Sequence, residues 1–386
     1  MITQTLALLA AAYRELNARK LFWVTMGINL LVVALFASLG INERGVSFLV
    51  WTFDADFFNT KIISPELFYK WQFVIWGIPW WLSWIATILG LVTTAGMIPD
   101  LITAGSIDTL LSKPIGRVRL FLTKYVSGLL FLALQVLVFT TGCFLVIWIR
   151  GGAIEPRLFL AVPIVVLFFS YLFAFCAFVG MVTRSTMAAL LLTILFWFLV
   201  FLVNAADDIV LAQREGAILK LEDRTLNLER QTEYADTQIK ALTEQGAPIL
   251  GPDEAPITDP DAQRDAVNPA MRASRERLDD ARKSVETWRK WARYTVFIKT
   301  VLPKTQETVG LLRRYLLSEE DDRRLSRDDS GRQARDEDPA FADPRVQERL
   351  ALVKRGRTES WIVGTSLAFE LALLAMAAMI FRRRDF

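Results

Sequence analysis

The residue types that most often carry chemistry are sparse here or missing. The 386-residue chain has no histidine, which removes His-ligated zinc, histidine general bases and Ser-His-Asp triads from consideration. Its two cysteines, Cys143 and Cys176, fall inside apolar runs. That placement indicates no disulfide framework and reveals no redox compartment. No GxxxxGK[ST] phosphate loop occurs, and no glycine is followed by lysine anywhere. If the function uses ATP, another polypeptide binds it. Asp253, Asp259 and Asp261 lack EF-hand spacing and read as solvated loop, so no metal site is expected. One acid stands apart by position: Glu370 lies inside an otherwise uncharged apolar run, 360–381. A carboxyl at bilayer depth costs on the order of a few kcal/mol unless it is neutral or partnered. Asn29, Gln135 and Ser366 are the polar residues expected at similar depth. Two roles stay open for Glu370, a functional group or a hydrogen-bonded contact between helices.

The elements that must position these residues follow from the distribution of charge. Residues 207–359 hold 31 of the 41 acids and 28 of the 44 bases. The remainder is apolar enough to lift the mean hydropathy of the whole chain to +0.34. A simple soluble enzyme is excluded. A helix needs roughly 20 apolar residues to cross the hydrocarbon layer. Charge-free runs of that length occur at 21–42, 71–99, 125–149, 158–183 and 185–206, and 360–381, apolar except for Glu370, makes a sixth. The first run is too long for a cleavable leader and lacks an A-x-A end, so it reads as a signal anchor. The expected fold is all-α and polytopic, with six transmembrane helices and a mainly helical extracytoplasmic insert between spans 5 and 6. The expected domains are 1–206, with an interfacial helix and spans 1–5, then the hydrophilic 207–359, then 360–386 with span 6 and a basic tail.

Orientation is read from Lys and Arg in short flanks. Arg14, Arg19 and Lys20 precede span 1, and Lys113, Arg117, Arg119 and Lys124 lie between spans 2 and 3. Arg184 separates spans 4 and 5, and Arg382, Arg383 and Arg384 follow span 6. These clusters place both termini in the cytoplasm of a multi-pass protein of the cell (inner) membrane. Lys354, Arg355 and Arg357 disagree, since they precede span 6 on the outer side.

Trp71, Trp76, Trp80, Trp81 and Trp84 crowd the start of span 2, as an interfacial belt or a stacking surface, and Pro79 among them should kink the helix. Residues 1–20 space Leu6, Leu9, Tyr13 and Leu16 as an amphipathic lead-in. In the insert, Leu211, Ile218, Leu221, Leu228, Ala235, Ile239 and Leu242 follow a heptad that Arg214, Thr225 and Thr232 spoil. Met271, Leu278, Ala281, Val285, Trp288 and Ala292 form a second such face, and five prolines separate the two within 246–269. The pattern predicts an antiparallel hairpin of coiled-coil type. Leu311, Leu312, Tyr315 and Leu316 suggest a further short helix, and 319–345 is too charged to bury a core. Acids interleave the bases of 272–293, so nucleic acid is not an expected partner.

The most informative segment is 99–128, PDLITAGSIDTLLSKPIGRVRLFLTKYVSG. Ile107, Leu110, Leu111 and Ile115 are apolar at helical spacing, so a short helix can lie along the inner membrane face. Gly105 permits a tight entry, and Pro114 disfavours its continuation. The run Gly105, Ser106, Ile107, Asp108, Leu110, Leu111, Ser112, Lys113, Pro114, Ile115 and Arg117 resembles the ABC-2 family of ATP-binding-cassette transporter permeases. Lys124, Tyr125 and Gly128 follow in step, and FRRRDF at 381–386 looks like a family C-terminus. Gly116 departs from the usual serine. The insert departs further, since many relatives carry their large external loop between spans 1 and 2. The resemblance implies that 99–124 is the coupling segment, with Asp100, Gly105, Ser106, Asp108, Leu110, Leu111, Lys113, Pro114 and Arg117 at its centre. The residues themselves also allow that these bases only enforce topology.

The implied function is an exporter's permease, with cytoplasmic ATPase subunits and a second permease copy as partners in the bilayer. ATP and magnesium would sit on the ATPase, and this chain would bind no cofactor and catalyse nothing. A competing reading makes the chain an anchor that transmits ATPase strokes to an extracytoplasmic protein bound by 207–359, with no cargo crossing.

Overall fold

Long apolar runs in a chain without internal breaks should fold as spans, and they do. The computed structural model describes residues 14, 17, 20–49, 51–54, 59–101, 116–250, 255–317 and 343–383. In chain order the elements are α1 (Lys20–Ser38), strands β1 (Leu39–Ile41), β2 (Gly45–Phe48) and β3 (Trp51–Asp54), and α2 (Pro65–Met97). They continue with α3 (Arg117–Gly151), α4 (Pro156–Thr183), α5 (Thr186–Glu244), α6 (Pro260–Val267) and α7 (Ala270–Val301). Last come α8 (Thr305–Leu316), α9 (Pro344–Arg355) and α10 (Glu359–Arg383). Six of these helices, α1 to α5 and α10, are long and apolar enough to cross a membrane. The protein is polytopic and helical, as the apolar runs require.

The described residues of 14–202, 300–317 and 358–383 form one compact unit. Its core joins Phe73 and Leu82 of α2, Phe121 and Phe139 of α3 and Phe168 and Phe173 of α4. Helix α3 packs on α1 and α4, and α10 packs along α4. Helix α8 belongs to this unit, although its residues lie in the polar stretch of the sequence: Leu312 is fully buried, and the helix rests on α4, α2 and α10. The compact units therefore do not follow the polarity boundary.

Two local features differ from a plain helical reading. Pro79 does not break α2; it sits within a π-helical stretch, Phe73–Ile85. Proline lacks the donor and crowds the preceding turn, and a wider turn relieves both. Ser83 and Thr87 hydroxyls donate to the Ile78 and Leu82 carbonyls, five residues back. The tryptophans divide around this stretch: Trp76 and Trp80 face outward, Trp81 is buried, and Trp84 stacks on Trp197 at 4.5 Å. The second feature is a three-stranded antiparallel sheet, β1-β2-β3, where the all-α reading left a loop. It is tied down by Arg150, which donates to the Ala37 and Leu39 carbonyls, and by the Tyr69 hydroxyl on Leu39.

The second unit comprises the described residues of 203–299 and 343–357. Here the polar part of α5 runs antiparallel to α7. Arg224 donates to the Arg277 carbonyl near the middle, Asp236 pairs with Arg264 at one end, and Asp207 meets Thr295 and Lys299 at the other. Met271, Leu278, Ala281, Val285 and Ala292 are buried on α7, whereas Trp288 is only half-buried. Thr225 and Thr232 do not need partners across the seam, because each donates to the carbonyl four residues back. Helix α9 packs Val346 and Leu350 on Leu211, Ala212 and Leu219 of α5.

Asp207 is the electrostatic centre of this unit. It is fully buried, accepts from Lys299 at 2.8 Å and from Arg357 at 2.7 Å, and Asp208 pairs with Lys354 at 2.9 Å. Lys354 and Arg357, which conflicted with the charge rule for topology, are thus each matched to an acid. Burial alone would raise the Asp207 carboxyl, but Lys299 and then Arg357 outweigh it and hold it below the ordinary 3.8. A depressed carboxyl stabilises the fold above its unfolded value and loses that contribution as pH falls through the folded one. Asp207→Ala leaves Lys299 buried without its counter-ion and should cost about 3–5 kcal/mol. Amide-exchange protection in 203–215 and 290–299 should drop accordingly. In the wild type that protection should hold at neutral pH and fall away below ~pH 4, and the Ala variant should lack this acid step.

Candidate intramembrane polar site and coupling segment

Glu370 sits on the inward face of α10 and is 7% exposed. Its Oε1 accepts from the Tyr125 hydroxyl of α3 at 2.8 Å, and its Oε2 from the Ser170 hydroxyl of α4 at 2.7 Å. Three spans therefore meet at one carboxyl. The same two hydroxyls also reach backbone oxygens, Tyr125 the Ser170 carbonyl at 2.8 Å and Ser170 the Leu167 carbonyl at 2.8 Å. Two hydroxyl protons thus face four acceptors, and a proton carried by Glu370 itself would complete a third bond.

The partners named from sequence are elsewhere. Gln135 donates to the Thr25 hydroxyl of α1 at 2.5 Å, and Asn29 accepts from the Trp81 indole at 3.2 Å. Ser366 accepts from the backbone N–H of Lys304 at 2.9 Å and donates to the Ile362 carbonyl. Each of these three polar groups is matched, but separately and not around Glu370. The reason is angular: Asn29 and Gln135 face the contacts of α1 with its neighbours, while Glu370 faces α3 and α4. Tyr125 and Ser170 went unrecognised. Tyr125 stood in the motif only as a matched letter, and Ser170 was one of few hydroxyls in the run 158–183.

Gly128 explains why a glycine follows Tyr125 by one turn. A Cβ there would lie 2.6 Å from the ring of Phe173. That ring is fully buried and stacks on Tyr125 at 5.1 Å with 9° between planes. The missing side chain lets α3 approach α4 closely, the small-residue packing expected between spans. Gly142 plays the same part against Val33 of α1.

Above this site, Lys304 is fully buried just before α8. Its ammonium donates to the carbonyls of Thr300 and Leu302 and lies 4.7 Å from the Trp361 ring. Carbonyl dipoles and an aromatic face both favour a cation at this position. Among the described residues no three acids, cysteines or histidines converge as a metal site.

Of the coupling segment, Gly105, Ser106, Asp108, Leu110, Leu111, Lys113 and Pro114 lie outside the described residues. Its two ends are seen. Asp100 is exposed in the turn Pro99–Leu101, and Arg117 opens α3. Arg117 and Arg119 occupy the first turn of α3, where no acid is present. Cations at a helix N-terminus oppose the macrodipole, so their presence there is not explained by helix stability.

Gly128→Ala should push the Phe173 ring off Tyr125 and loosen the Glu370 contacts. Overpacking of this kind costs about 1–3 kcal/mol, to be read as a lower melting temperature of the purified protein in detergent. An unchanged melting temperature would mean that the α3–α4 contact tolerates the methyl.

No curated protein and no solved structure matches the chain. Residues 54–237 match the family described as ABC-2 family transporter protein. That span holds α2, α3, α4 and most of α5, including Tyr125, Gly128 and Ser170, and leaves out α10 with Glu370. Through this stretch, a little under half of its length, the chain is similar to the ABC-2 transporter family.

Proposed function

We propose that the protein is the membrane-spanning permease of an ABC-2-type exporter, driven by separate cytoplasmic ATPase subunits and working with a second permease copy. The observation that carries this reading is the family match across the spans that flank 99–124. The absence of a phosphate loop is consistent with nucleotide, ATP with magnesium, being held by a partner. In this reading the cations at the start of α3 meet the ATPase, and ATP-driven closure tilts α3. Tyr125 carries that tilt to α4 and α10 through Glu370. Opening of a path beside Glu370 would admit water and change which hydrogen bonds its carboxyl makes. The insert, 207–359 in sequence, is assigned to the extracytoplasmic side from the Lys and Arg flanks.

The anchor reading has one observation in its favour. Helix α5 is unbroken from Thr186 to Glu244, so its apolar and polar parts are one element. A reconstituted vesicle assay separates the two, because only the exporter moves cargo.

Charge reversal at Arg117 combined with deletion of Leu110 and Leu111 should abolish co-purification of an ATPase. Undiminished ATPase recovery and activity would sink the docking assignment. For topology, Pro256→Cys should react with a membrane-impermeant maleimide in intact cells, after permeabilisation of any outer membrane. Cys143 and Cys176 are buried and give little background. Labelling that appears only after lysis of the inner membrane would invert the orientation.

A further inference from the structure

Helix α7 changes character along a single face. Glu276, Asp280, Lys283 and Thr287 follow one another at spacings of three or four residues and are exposed. The same line continues as Trp291, Tyr294 and Ile298, with Phe297 beside it. These four are 55%, 65%, 49% and 72% exposed, on the side of the helix away from the buried Val285 and Ala292. A water-facing helix has no use for four large apolar groups in register, so this stripe marks an interaction surface.

Its composition selects the occupant. Tryptophan and tyrosine beside aliphatic groups, with cations at the edge, are the materials of a membrane–water interface. The cations are Arg289, Lys290 and Arg293, all exposed. With Arg214 they line a groove of about 500 Å³ that contains a single acid, Glu286. Glu286 is taken by Lys290 at 2.9 Å, while Arg289 and Arg293 have no acidic partner among the described residues. The step from polar to apolar comes near the end of α7, shortly before Thr305 opens α8. A helix that dips from water into the headgroup layer shows this change in polarity along one face. A helix lying flat in the interface would be apolar along its whole length.

We propose that Trp291, Tyr294, Phe297 and Ile298 immerse the last turns of α7 in the headgroup layer of the leaflet on the insert's side, with Arg289 and Arg293 engaging anionic lipid phosphates. The stripe fixes depth and the cations select lipid charge. This assignment holds whichever side of the membrane the insert occupies, and it does not depend on what is transported.

The test uses the full chain reconstituted in phosphatidylcholine vesicles with and without phosphatidylglycerol. Nitroxide labels are placed by Tyr294→Cys, by Phe297→Cys and, on the same face but higher, by Lys283→Cys. The ratio of collisions with oxygen to those with a water-soluble nickel chelate should be severalfold greater at 294 and 297 than at 283. Phosphatidylglycerol should raise it further, and Arg289→Glu with Arg293→Glu should remove that increment. Equal, water-like ratios at all three positions would overturn the proposal. So would spin–spin broadening at 297 that disappears on dilution with unlabelled chain, since a second copy would then cover the stripe. Immersion indifferent to both lipid charge and the arginine substitutions would overturn the anionic-phosphate assignment.

Discussion

Hydrocarbon offers no hydrogen bonds, and the spans of this protein are arranged under that constraint. Backbone groups are satisfied within helices, so only the few polar side chains at depth must find one another. Glu370 is the most demanding of them, and it is met by hydroxyls from two other helices, Tyr125 and Ser170. Its position fixes the rotation of α10, because a turn of the helix would carry the carboxyl away from both hydroxyls. Tyr125 must then stand at the α3–α4 contact, Phe173 must stack beneath it, and residue 128 must be a glycine. Asn29 with Trp81 and Gln135 with Thr25 apply the same rule to α1.

Outside the apolar segments the same logic runs on charge. Asp207 is buried and would be costly alone, yet Lys299 and Arg357 offset it, and Asp208 takes Lys354. These bases appeared anomalous for topology because sequence shows charges without their partners. The acids that neutralise them stand about 150 residues earlier in the chain. What looked like a free cationic flank is one side of an ion-pair cluster that ties the two edges of the insert together.

Much of the fold was legible because its determinants are local. Apolar length marked six spans, and the spacing of Met271, Leu278, Ala281 and Val285 marked the buried face of α7. Pro79 signalled a perturbed helix, although not that the perturbation would be a π-helical stretch. The small sheet was missed because three strands of three or four residues leave almost no periodic signal, and the fixing of β1 by Arg150 and Tyr69 is long-range. The placement of α8 was missed for a related reason. Its helical spacing was visible in Leu311, Leu312 and Leu316, but its neighbours on α4 and α2 were not. The partners of Glu370 were chosen by depth alone, whereas rotation about the helix axes decides them.

Tyr125 and Glu370 form one interaction that joins α3 to α10. A double-mutant cycle measures it directly, with Tyr125→Phe, Glu370→Gln and the pair compared by thermal or chemical unfolding of the purified protein. Residues in one hydrogen-bonded network should show a coupling of roughly 0.5–3 kcal/mol. The account predicts that the second substitution costs much less once the first is present. Strict additivity of the two losses would contradict it and would leave Tyr125 and Glu370 as energetically independent groups.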